Sequence, residues 1–303
     1  MPINLSYCEI QIMQKEVRRA VIFAHFDKND LVDEYVFYYL KELWKICDKV
    51  VFVTTSNICK QDIANLKKIK CQIIKRENVG YDFISYQVGL KKIKFNNYDE
   101  VVICNDSVYG PIFPLEEIFK KMEQENCDFW GMTENYEYAY HLQSYFLVFR
   151  KNIFNSKIFH NFWQTINIFN SKQTIIQKFE IGLSQLLLKE GFLPIAVAKS
   201  NKFNLFRQFG LLLKIINLHS VIKFIKNEKN IDIKGIINTK ALNPTHFFWK
   251  ELLVNNKMPF VKVELLRDNP ENININNIYN IINKLSSYEI NLIKNHLARV
   301  RNA

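Results

Sequence analysis

The segment with the clearest capacity for chemistry is residues 101–114, VVICNDSVYGPIFP. A short apolar run predicts a buried strand, which delivers Asn105, Asp106 and Ser107 at its carboxyl end before a Gly-Pro pair turns the chain away. A carboxylate at such a position can bind a divalent cation, and the cation neutralises a diphosphate leaving group. The same Asp could merely cap a turn, which is the usual role of a lone Asp after a strand.

A second polar segment, residues 76–82 (RENVGYD), also follows a predicted strand and enters a helix. Arg76 could pair with a phosphate group, and Gly80 permits a close approach of the backbone to a ligand. Asp82 could bind a ligand hydroxyl, or it could cap the helix that follows.

A third candidate is Glu180, inside a predicted helix with the local sequence EIGLS. Gly182 is costly in a helix unless a neighbour packs closely against it. A Glu beside a cleft could act as a general base that removes the proton from an acceptor hydroxyl. A solvated helix Glu is the alternative interpretation.

Two further segments hold polar residues next to aromatic ones. In residues 243–249 (NPTHFFW), His246 could be a metal ligand, a phosphate contact or a buried, hydrogen-bonded histidine, and its aromatic neighbours favour the last of these. In residues 141–146 (HLQSYF), Gln143 and Ser144 could contact sugar hydroxyls or simply precede a strand.

The elements that must position these residues follow from the apolar pattern. In the first half, apolar runs predict strands, and spacings of three or four predict helices between them. Such alternation indicates an α/β fold with a mostly parallel sheet covered on both faces, and ligands bind beyond the carboxyl ends of its strands. The predicted strands are residues 20–24, 50–53, 71–74 and 101–104, and the predicted helices are 33–46, 63–69, 86–93 and 115–122.

The second half changes character. It contains a predicted strand over 144–150, helices over 158–166 and 174–189, a strand over 193–198 and helix from Ile278 onward. Gly191 lies at a position typical of a helix C-terminus. We predict a core over residues 1–200 and a helical C-terminal extension over 201–303 that closes the site.

Residues 203–229 are apolar and basic. Five apolar residues share one helical face there, and lysines follow. Such a segment could lie on an anionic bilayer or could pack against the core as an ordinary amphipathic helix. The apolar residues are Leu205, Phe209, Leu212, Leu213 and Ile216.

The charge balance is 41 Lys and Arg against 30 Asp and Glu, a net +11. This excess favours anionic partners such as phosphorylated molecules or lipids, although free use of Lys and Asn explains it equally well. No nucleic-acid recognition motif is visible, which argues against a nucleic-acid-binding module. The six cysteines form no CxxC pair, which is typical of reduced thiols. We expect a cytoplasmic protein because residues 1–16 lack a signal-peptide pattern and no run of about 18 apolar residues occurs.

Eight blocks keep their order across residues 20–270 and together resemble the rhamnan synthesis F family. They are AVIFAHFDKND at 20–30, RENVGYDF at 76–83, NDSVYGPIFPLE at 105–116, DFWGMTEN at 128–135, HLQSYFLVFRK at 141–151, FEIGLSQLLLKEGF at 179–192, NPTHFFWKELL at 243–253 and PFVKVELLRDNP at 259–270.

The resemblance implies a glycosyltransferase-A-like fold, and it implies roles for single residues. The Asn105-Asp106-Ser107 tripeptide would occupy the place of the metal-binding acidic motif. It departs from the Asp-x-Asp pattern, which leaves Asp106 as the acidic ligand of Mg²⁺ or Mn²⁺. The resemblance also gives donor-side roles to Asn78, Gly80 and Asp82, the base to Glu180, and a contact with the metal or diphosphate to His246.

The implied function is an inverting glycosyl transfer, with a rhamnosyl group as the family-based choice. The expected donor is a nucleotide-sugar such as dTDP-L-rhamnose, and the expected acceptor is a lipid-linked glycan of a cell-surface polysaccharide. Contact with the inner face of the plasma membrane would fit that acceptor. Two alternatives stay open: a non-catalytic glycan-binding or scaffold subunit, and a transferase for a different sugar.

Overall fold

A computed structural model describes residues 17–136, 138–169, 171–198 and 243–301. Its centre is an eight-stranded mixed sheet of order β3-β2-β1-β4-β8-β6-β7, with β9 beside β6, and a two-stranded ribbon pairs β5 with β10. The strands are β1 (Arg19–His25), β2 (Lys49–Thr54), β3 (Gln72–Lys75), β4 (Glu100–Asn105), β5 (Val108–Tyr109), β6 (Phe129–Asn135), β7 (His141–Leu142), β8 (Phe146–Arg150), β9 (Pro194–Ala198) and β10 (Val261–Lys262).

Helices cover both faces of this sheet. The helices are α1 (Glu34–Trp44), α2 (Lys60–Lys68), α3 (Tyr81–Leu90), α4 (Leu115–Glu123), α5 (Lys151–Phe154), α6 (Lys157–Gln164), α7 (Lys172–Ile175), α8 (Gly182–Lys189), α9 (Pro244–Phe247), α10 (Trp249–Asn255), α11 (Val263–Arg267), α12 (Ile278–Leu285) and α13 (Ile290–Arg301). A π-helical segment, Ile176–Ile181, joins α7 to α8. This architecture confirms the predicted α/β fold, with its mostly parallel sheet and helical C-terminal region.

Strands β1 to β4 are parallel, and β1, β2 and β4 are buried almost throughout. Strand β3 lies at the edge of the sheet, where Gln72 and Lys75 are exposed. In β1, Val21 and Phe23 pack in one apolar cluster, while Ala20, Ile22 and Ala24 pack in a second cluster on the opposite face. Successive side chains of a strand point to opposite faces, so a continuous apolar run is the pattern that a doubly covered strand requires. The carboxyl ends of these strands therefore meet at one edge of the sheet.

The other half of the sheet is antiparallel around β8. Strand β8 lies between β4 and β6 and runs antiparallel to both. Strand β6 was not predicted from its pattern, because its sequence FWGMTEN mixes apolar and polar residues although every one of them is buried. Its Gly131 lies against the Leu147 side chain of β8, where a Cβ atom would come within 2.9 Å.

Helix α3 begins earlier than the spacing of apolar residues predicts. Its N-cap is Gly80, in the left-handed region with φ 70°. An added Cβ at Gly80 would lie 2.4 Å from Ile84 Cγ1, so a side chain at this position would be both strained and crowded.

The C-terminal residues share the core of the sheet. Trp249, Leu252 and Phe260 belong to the same apolar cluster as Tyr39 of α1 and Phe146 of β8. The ribbon of β5 and β10 places Val261 opposite Tyr109. The division at residue 200 stays a prediction, because residues 199–242 lie outside the described ranges.

No helix within the described residues is long and apolar enough to cross a membrane. The amphipathic segment predicted over residues 205–216, and the lysines after it, lie outside the described ranges.

Candidate active site

A cavity of about 780 Å³ opens at the carboxyl edge of β1 and β4. The turns after β1 and β4 form part of its wall, and β10 with the C-terminal helices α11 and α13 forms another part. Seven residues predicted from the sequence line this cavity: Asp82, Asn105, Asp106, Ser107, Gln143, Ser144 and Glu180.

Asp106 is the largely buried carboxylate that follows β4. Its Oδ2 accepts a hydrogen bond of 2.8 Å from the backbone N–H of Phe26. The Tyr35 hydroxyl donates to its backbone carbonyl at 3.0 Å. Burial raises the pKa of Asp106 well above its usual range, and the negative charges of Asp82 and Asp27 raise it further. A cation beside this carboxylate would therefore favour its ionised form.

The neutral residues that flank Asp106 are engaged with each other. The Ser107 hydroxyl donates to Asn105 Oδ1 at 2.6 Å, and Asn105 Nδ2 donates to Asp82 Oδ2 at 2.7 Å. Burial raises the pKa of Asp82, while the hydrogen bond from Asn105 opposes that shift. Asn105 thus ties the end of β4 to the start of α3.

Glu180 projects into the cavity from the π-helical segment. Its Oε2 accepts hydrogen bonds from the backbone N–H of Ser144, at 2.7 Å, and from the Ser144 hydroxyl. Its Oε1 lies 3.5 Å from His141 Nε2. Burial opposes ionisation, but the contacts with His141 and Ser144 outweigh it and hold the pKa of Glu180 below its usual value. Glu180 is therefore an ionised, largely buried carboxylate, and short π-helical segments of this kind often occur at functional sites.

Gln143 and Ser144 lie between β7 and β8 and are both buried. Gln143 accepts a hydrogen bond of 2.7 Å from the Thr133 hydroxyl. The Tyr86 hydroxyl donates to the carbonyl of Ser144 at 3.1 Å. These bonds fix the backbone that in turn orients Glu180.

Three residues assigned to the donor side do not line the cavity: Arg76, Asn78 and Gly80. The guanidinium of Arg76 donates to the Ser85 hydroxyl and to the carbonyls of Glu77 and Val79, at 2.6 to 2.8 Å. Arg76 therefore braces the turn before α3, and Gly80 permits the tight backbone there. Their effect on a ligand would act through Asp82.

His246 is also absent from the cavity wall. Its Nδ1 lies 2.7 Å from Glu271 Oε2, and its Nε2 lies 3.8 Å from a carboxylate oxygen of Glu264. The side chain is buried, so the interpretation that the structure supports is the buried, hydrogen-bonded histidine. The structure does not bring His246 together with Asp106 as a shared ligand set.

Sequence analysis missed a charged cluster in the cavity wall. Ligand atoms of Asp27, Asp33 and His296 lie within 4.8 Å of one another, and Arg299 donates hydrogen bonds to both carboxylates. Burial opposes ionisation of Asp27, but the Arg299 hydrogen bonds outweigh it and lower the pKa of Asp27. A cation in this cluster would have to displace Arg299. The available signal was the run FDKND at 26–30, directly after β1, a strand whose Ala24 pairs with Asn105 of β4.

Asp106 fits a divalent cation of a particular kind. Mg²⁺ is commonly bound by one or two carboxylates together with water and the phosphate oxygens of a ligand. Asn105 and Ser107 are neutral and bond to each other, so Asp106 provides the one carboxylate of this tripeptide. The donor set suits a cation completed by a bound phosphate rather than a closed protein cage.

Comparison with known proteins places the chain in a family. Residues 50–226 match the family described as Rhamnan synthesis protein F. The virulence protein VirA of Vibrio anguillarum is 31% identical over 208 residues, which are 65% of this chain and 62% of that protein. The chain thus spans less than two thirds of the length of that relative.

Solved structures show more distant likeness. A nucleotide-diphospho-sugar transferase from Desulfovibrio desulfuricans aligns with a TM-score of 0.36 and 11% identity, over 60% of this chain and 80% of that one. The inositol-1-phosphate CTP transferase from T. maritima aligns with a TM-score of 0.39 and 13% identity, over 61% and 86%. The family match covers more than half of the chain, so the chain belongs to the rhamnan synthesis protein F family.

Proposed function

We propose that this member of the rhamnan synthesis protein F family is a glycosyltransferase that uses a nucleoside-diphosphate sugar. The observation that carries the proposal is that two of the carboxylates lining the cavity of about 780 Å³, Glu180 and Asp106, are in different electrostatic states. Glu180 is held ionised by His141 and Ser144, whereas burial raises the pKa of Asp106. Carboxylates whose pKa values are pushed apart are suited to separate roles.

Glu180 is the proposed general base. It would take the proton of an acceptor hydroxyl, whose oxygen then forms a bond to the anomeric carbon of the donor sugar. The bond from that carbon to the phosphate oxygen breaks, and the diphosphate leaves with the electron pair. An attack in line with the leaving group inverts the configuration. The side chain is already ionised near neutral pH, as a base must be.

Asp106 is the proposed site of cation and diphosphate binding. It would hold Mg²⁺ or Mn²⁺ jointly with the phosphate oxygens of the donor, and the cation would supply positive charge for the leaving diphosphate. Asp82 and Asn105 shape the same wall, through the hydrogen bond between them. Gln143 and Ser144 would contact the acceptor while they keep Glu180 in place.

The sugar and the acceptor are assigned on the family description. A rhamnan-synthesis family favours a rhamnosyl donor such as dTDP-L-rhamnose, and a growing cell-surface polysaccharide or lipid-linked glycan as the acceptor. The product would be one sugar longer.

Membrane attachment is a separate proposal that rests on sequence alone. Residues 205–216 and the lysines after them would place the protein on the anionic inner face of the plasma membrane. Flotation with anionic liposomes is expected for the whole chain, and the double change Leu212→Ser and Leu213→Ser is expected to abolish it. Absence of flotation of the unchanged protein would remove this proposal.

The experiment that tests the function is calorimetric binding of dTDP, UDP and GDP, each with Mn²⁺ and with EDTA. Binding of one nucleotide, strengthened by Mn²⁺ and weakened in Asp106→Ala, is the expected result. Asp268→Asn is the matched control, because it removes a carboxylate that also lines the cavity but pairs with Arg267. Binding of none of the three nucleotides would favour the non-catalytic, glycan-binding alternative.

A further inference from the structure

We propose that Lys262 is a binding residue for the diphosphate of the ligand, so that the protein itself neutralises part of the ligand's charge. This inference rests on the proposed function for the identity of the ligand, a nucleoside diphosphate. The geometry around Lys262 also predicts binding of inorganic pyrophosphate, which has no sugar or base.

The backbone of β10 places Lys262 beside the Asn105-Asp106-Ser107 tripeptide. Lys262 pairs with Val108 in the two-stranded ribbon, and the N–H of Val263 donates to the carbonyl of Ser107 at 2.9 Å. Lys262 Nζ then donates to the Ser107 hydroxyl at 3.2 Å. The same ammonium lies 4.0 Å from the centre of the Tyr145 ring. The ammonium is thus fixed at the tripeptide that is proposed to meet the phosphates.

The ammonium of Lys262 retains capacity to bind an anion. Among the described residues, no carboxylate oxygen lies within the 4.0 Å ion-pair distance of its Nζ, although the side chain lines the cavity. An ammonium has three donors, and here one donor goes to a neutral hydroxyl. A partly buried cation without a close counter-charge is costly, and a phosphate oxygen would supply that counter-charge.

The charged groups that face Lys262 come from four elements. Burial lowers its pKa to about 8, against the opposing effect of Glu180, Glu264 and Asp82, while Lys172 lowers it further. In the free protein near pH 8, Lys262 is therefore partly deprotonated. A bound diphosphate favours the charged form, so binding is expected to take up a proton.

A purely structural role is the competing explanation, in which Lys262 only balances the three carboxylates. The two explanations differ in what happens when an anion enters the cavity. A structural cation would leave anion affinity nearly unchanged when it is replaced by a variant that folds. A binding cation would lose affinity with its charge.

The test is calorimetric binding of pyrophosphate and of dTDP, UDP and GDP in EDTA at pH 7. Lys262→Gln is expected to weaken binding about 10- to 100-fold, the effect of losing one charge-assisted hydrogen bond. Lys262→Arg is expected to retain most of the affinity. Lys172→Gln is the matched control, because Lys172 lines the same cavity but pairs with Glu264 at 3.6 Å, and a change below about threefold is expected there.

A second measurement compares the unchanged protein with the conservative variant Lys262→Arg and does not depend on the folding of Lys262→Gln. At pH 8, calorimetry in buffers of different ionisation enthalpy should show an uptake of about 0.5 proton per ligand, since a group with pKa near the pH is half protonated. The Lys262→Arg variant should show an uptake smaller by that amount. Equal proton uptake in the two proteins would overturn the proposal, as would equal affinity of Lys262→Gln and the unchanged protein.

The outcomes also separate this inference from the proposed function. Lys262-dependent binding of pyrophosphate without preference for any nucleotide would support Lys262 and count against the nucleotide-sugar function. Nucleotide binding that ignores Lys262 would support the function and refute the present inference. Binding of neither probe in EDTA would refute the present inference, and absence of nucleotide binding with Mn²⁺ as well would refute both.

Discussion

The two ends of the cavity use charge in opposite ways. At the end formed by the turn after β1, Arg299 bonds directly to Asp27 and Asp33, so opposite charges are paired inside the protein. At the end formed by β10 and the π-helical segment, Glu180 raises the pKa of Lys262, but the two side chains form no direct ion pair with each other. Glu180 is held instead by Ser144 and His141. The end with Arg299, called the paired end below, holds α13 on the sheet. The end with Lys262, called the unpaired end because Lys262 has no close carboxylate there among the described residues, keeps that ammonium available for a ligand.

The largest expected effect of a single change is at the unpaired end, in Glu180→Gln. Loss of the proposed base should lower the rate constant of the proposed sugar transfer by about 10²- to 10⁴-fold, the usual contribution of general base catalysis. Donor affinity should change little, since the amide keeps the shape of the side chain. Transfer kinetics together with calorimetric donor binding would measure both. Turnover like that of the unchanged protein would refute the assignment of Glu180 as the base.

At the paired end, Arg299→Met should instead reduce stability. It leaves Asp27 and Asp33 without their guanidinium partner. Because these pairs are partly buried, the loss in the free energy of unfolding should lie at the lower end of the range for buried pairs, about 3 kcal/mol. The matched control is Arg18→Met, because the pair of Arg18 and Asp48 is half exposed at 4.0 Å and should contribute less than about 1 kcal/mol. Urea unfolding measures the free energy of unfolding of both variants. Equal losses in Arg299→Met and Arg18→Met would contradict the expected difference between a partly buried pair and an exposed one.

His25, buried at the end of β1, should make the free energy of unfolding depend on pH. Burial lowers its pKa to about 4 from the usual 6.5, so the unfolded chain binds the extra proton first as the pH falls. Stability from this group is present above pH 6.5 and is lost toward pH 4, by about 3 kcal/mol. His25→Gln, which can still bond to Thr54, should reduce that pH dependence. Urea unfolding at pH 7, 5.5 and 4.5 would measure the free energy of unfolding of both proteins. An identical change of that free energy with pH in the unchanged protein and in His25→Gln would contradict the prediction.

The smallest expected effect concerns the turn that positions Asp82. Gly80→Ala combines a left-handed backbone with a clash against Ile84 and should cost about 2 kcal/mol. Gly191→Ala shares the left-handed backbone, with φ 85°, but has open space around the added methyl group, so about 1 kcal/mol is expected. Thermal or urea unfolding gives the stability loss of each variant, and the difference between the two losses is the cost of the clash at Gly80. A loss of stability that is larger for Gly191→Ala than for Gly80→Ala would show that crowding at Gly80 is unimportant.

The sequence was sufficient for the parallel half of the fold and for part of the site. Apolar runs identified β1, β2 and β4, because a strand covered on both faces has to be apolar throughout. The shorter run over 71–74 identified β3, an edge strand that is only partly buried. The rule that ligands bind beyond the carboxyl ends of such strands then pointed to Asp82 and to Asn105, Asp106 and Ser107. All four line the cavity.

The rest of the site depends on contacts that no local pattern encodes. Lys262 reaches Ser107 only because β10 pairs with β5, and Arg299 reaches Asp27 only because α13 packs beside β1's turn. His246 shows the converse, since a histidine in a promising motif bonds to Glu271 instead. Such outcomes are decided by tertiary packing, which a single sequence does not display.

The pairing of β5 with β10 has a consequence for the order of folding. It joins Tyr109 to Val261 across about 150 residues of chain, and contacts so distant in sequence form late because closing a long loop costs entropy. During synthesis, the parallel strands can assemble before β10 has emerged. Until then Tyr39 and Phe146, which pack against Phe260 in the folded protein, lack that cover. A chain arrested at this stage would have a formed sheet with an exposed apolar face. Chaperones and proteases would be expected to recognise that exposed face.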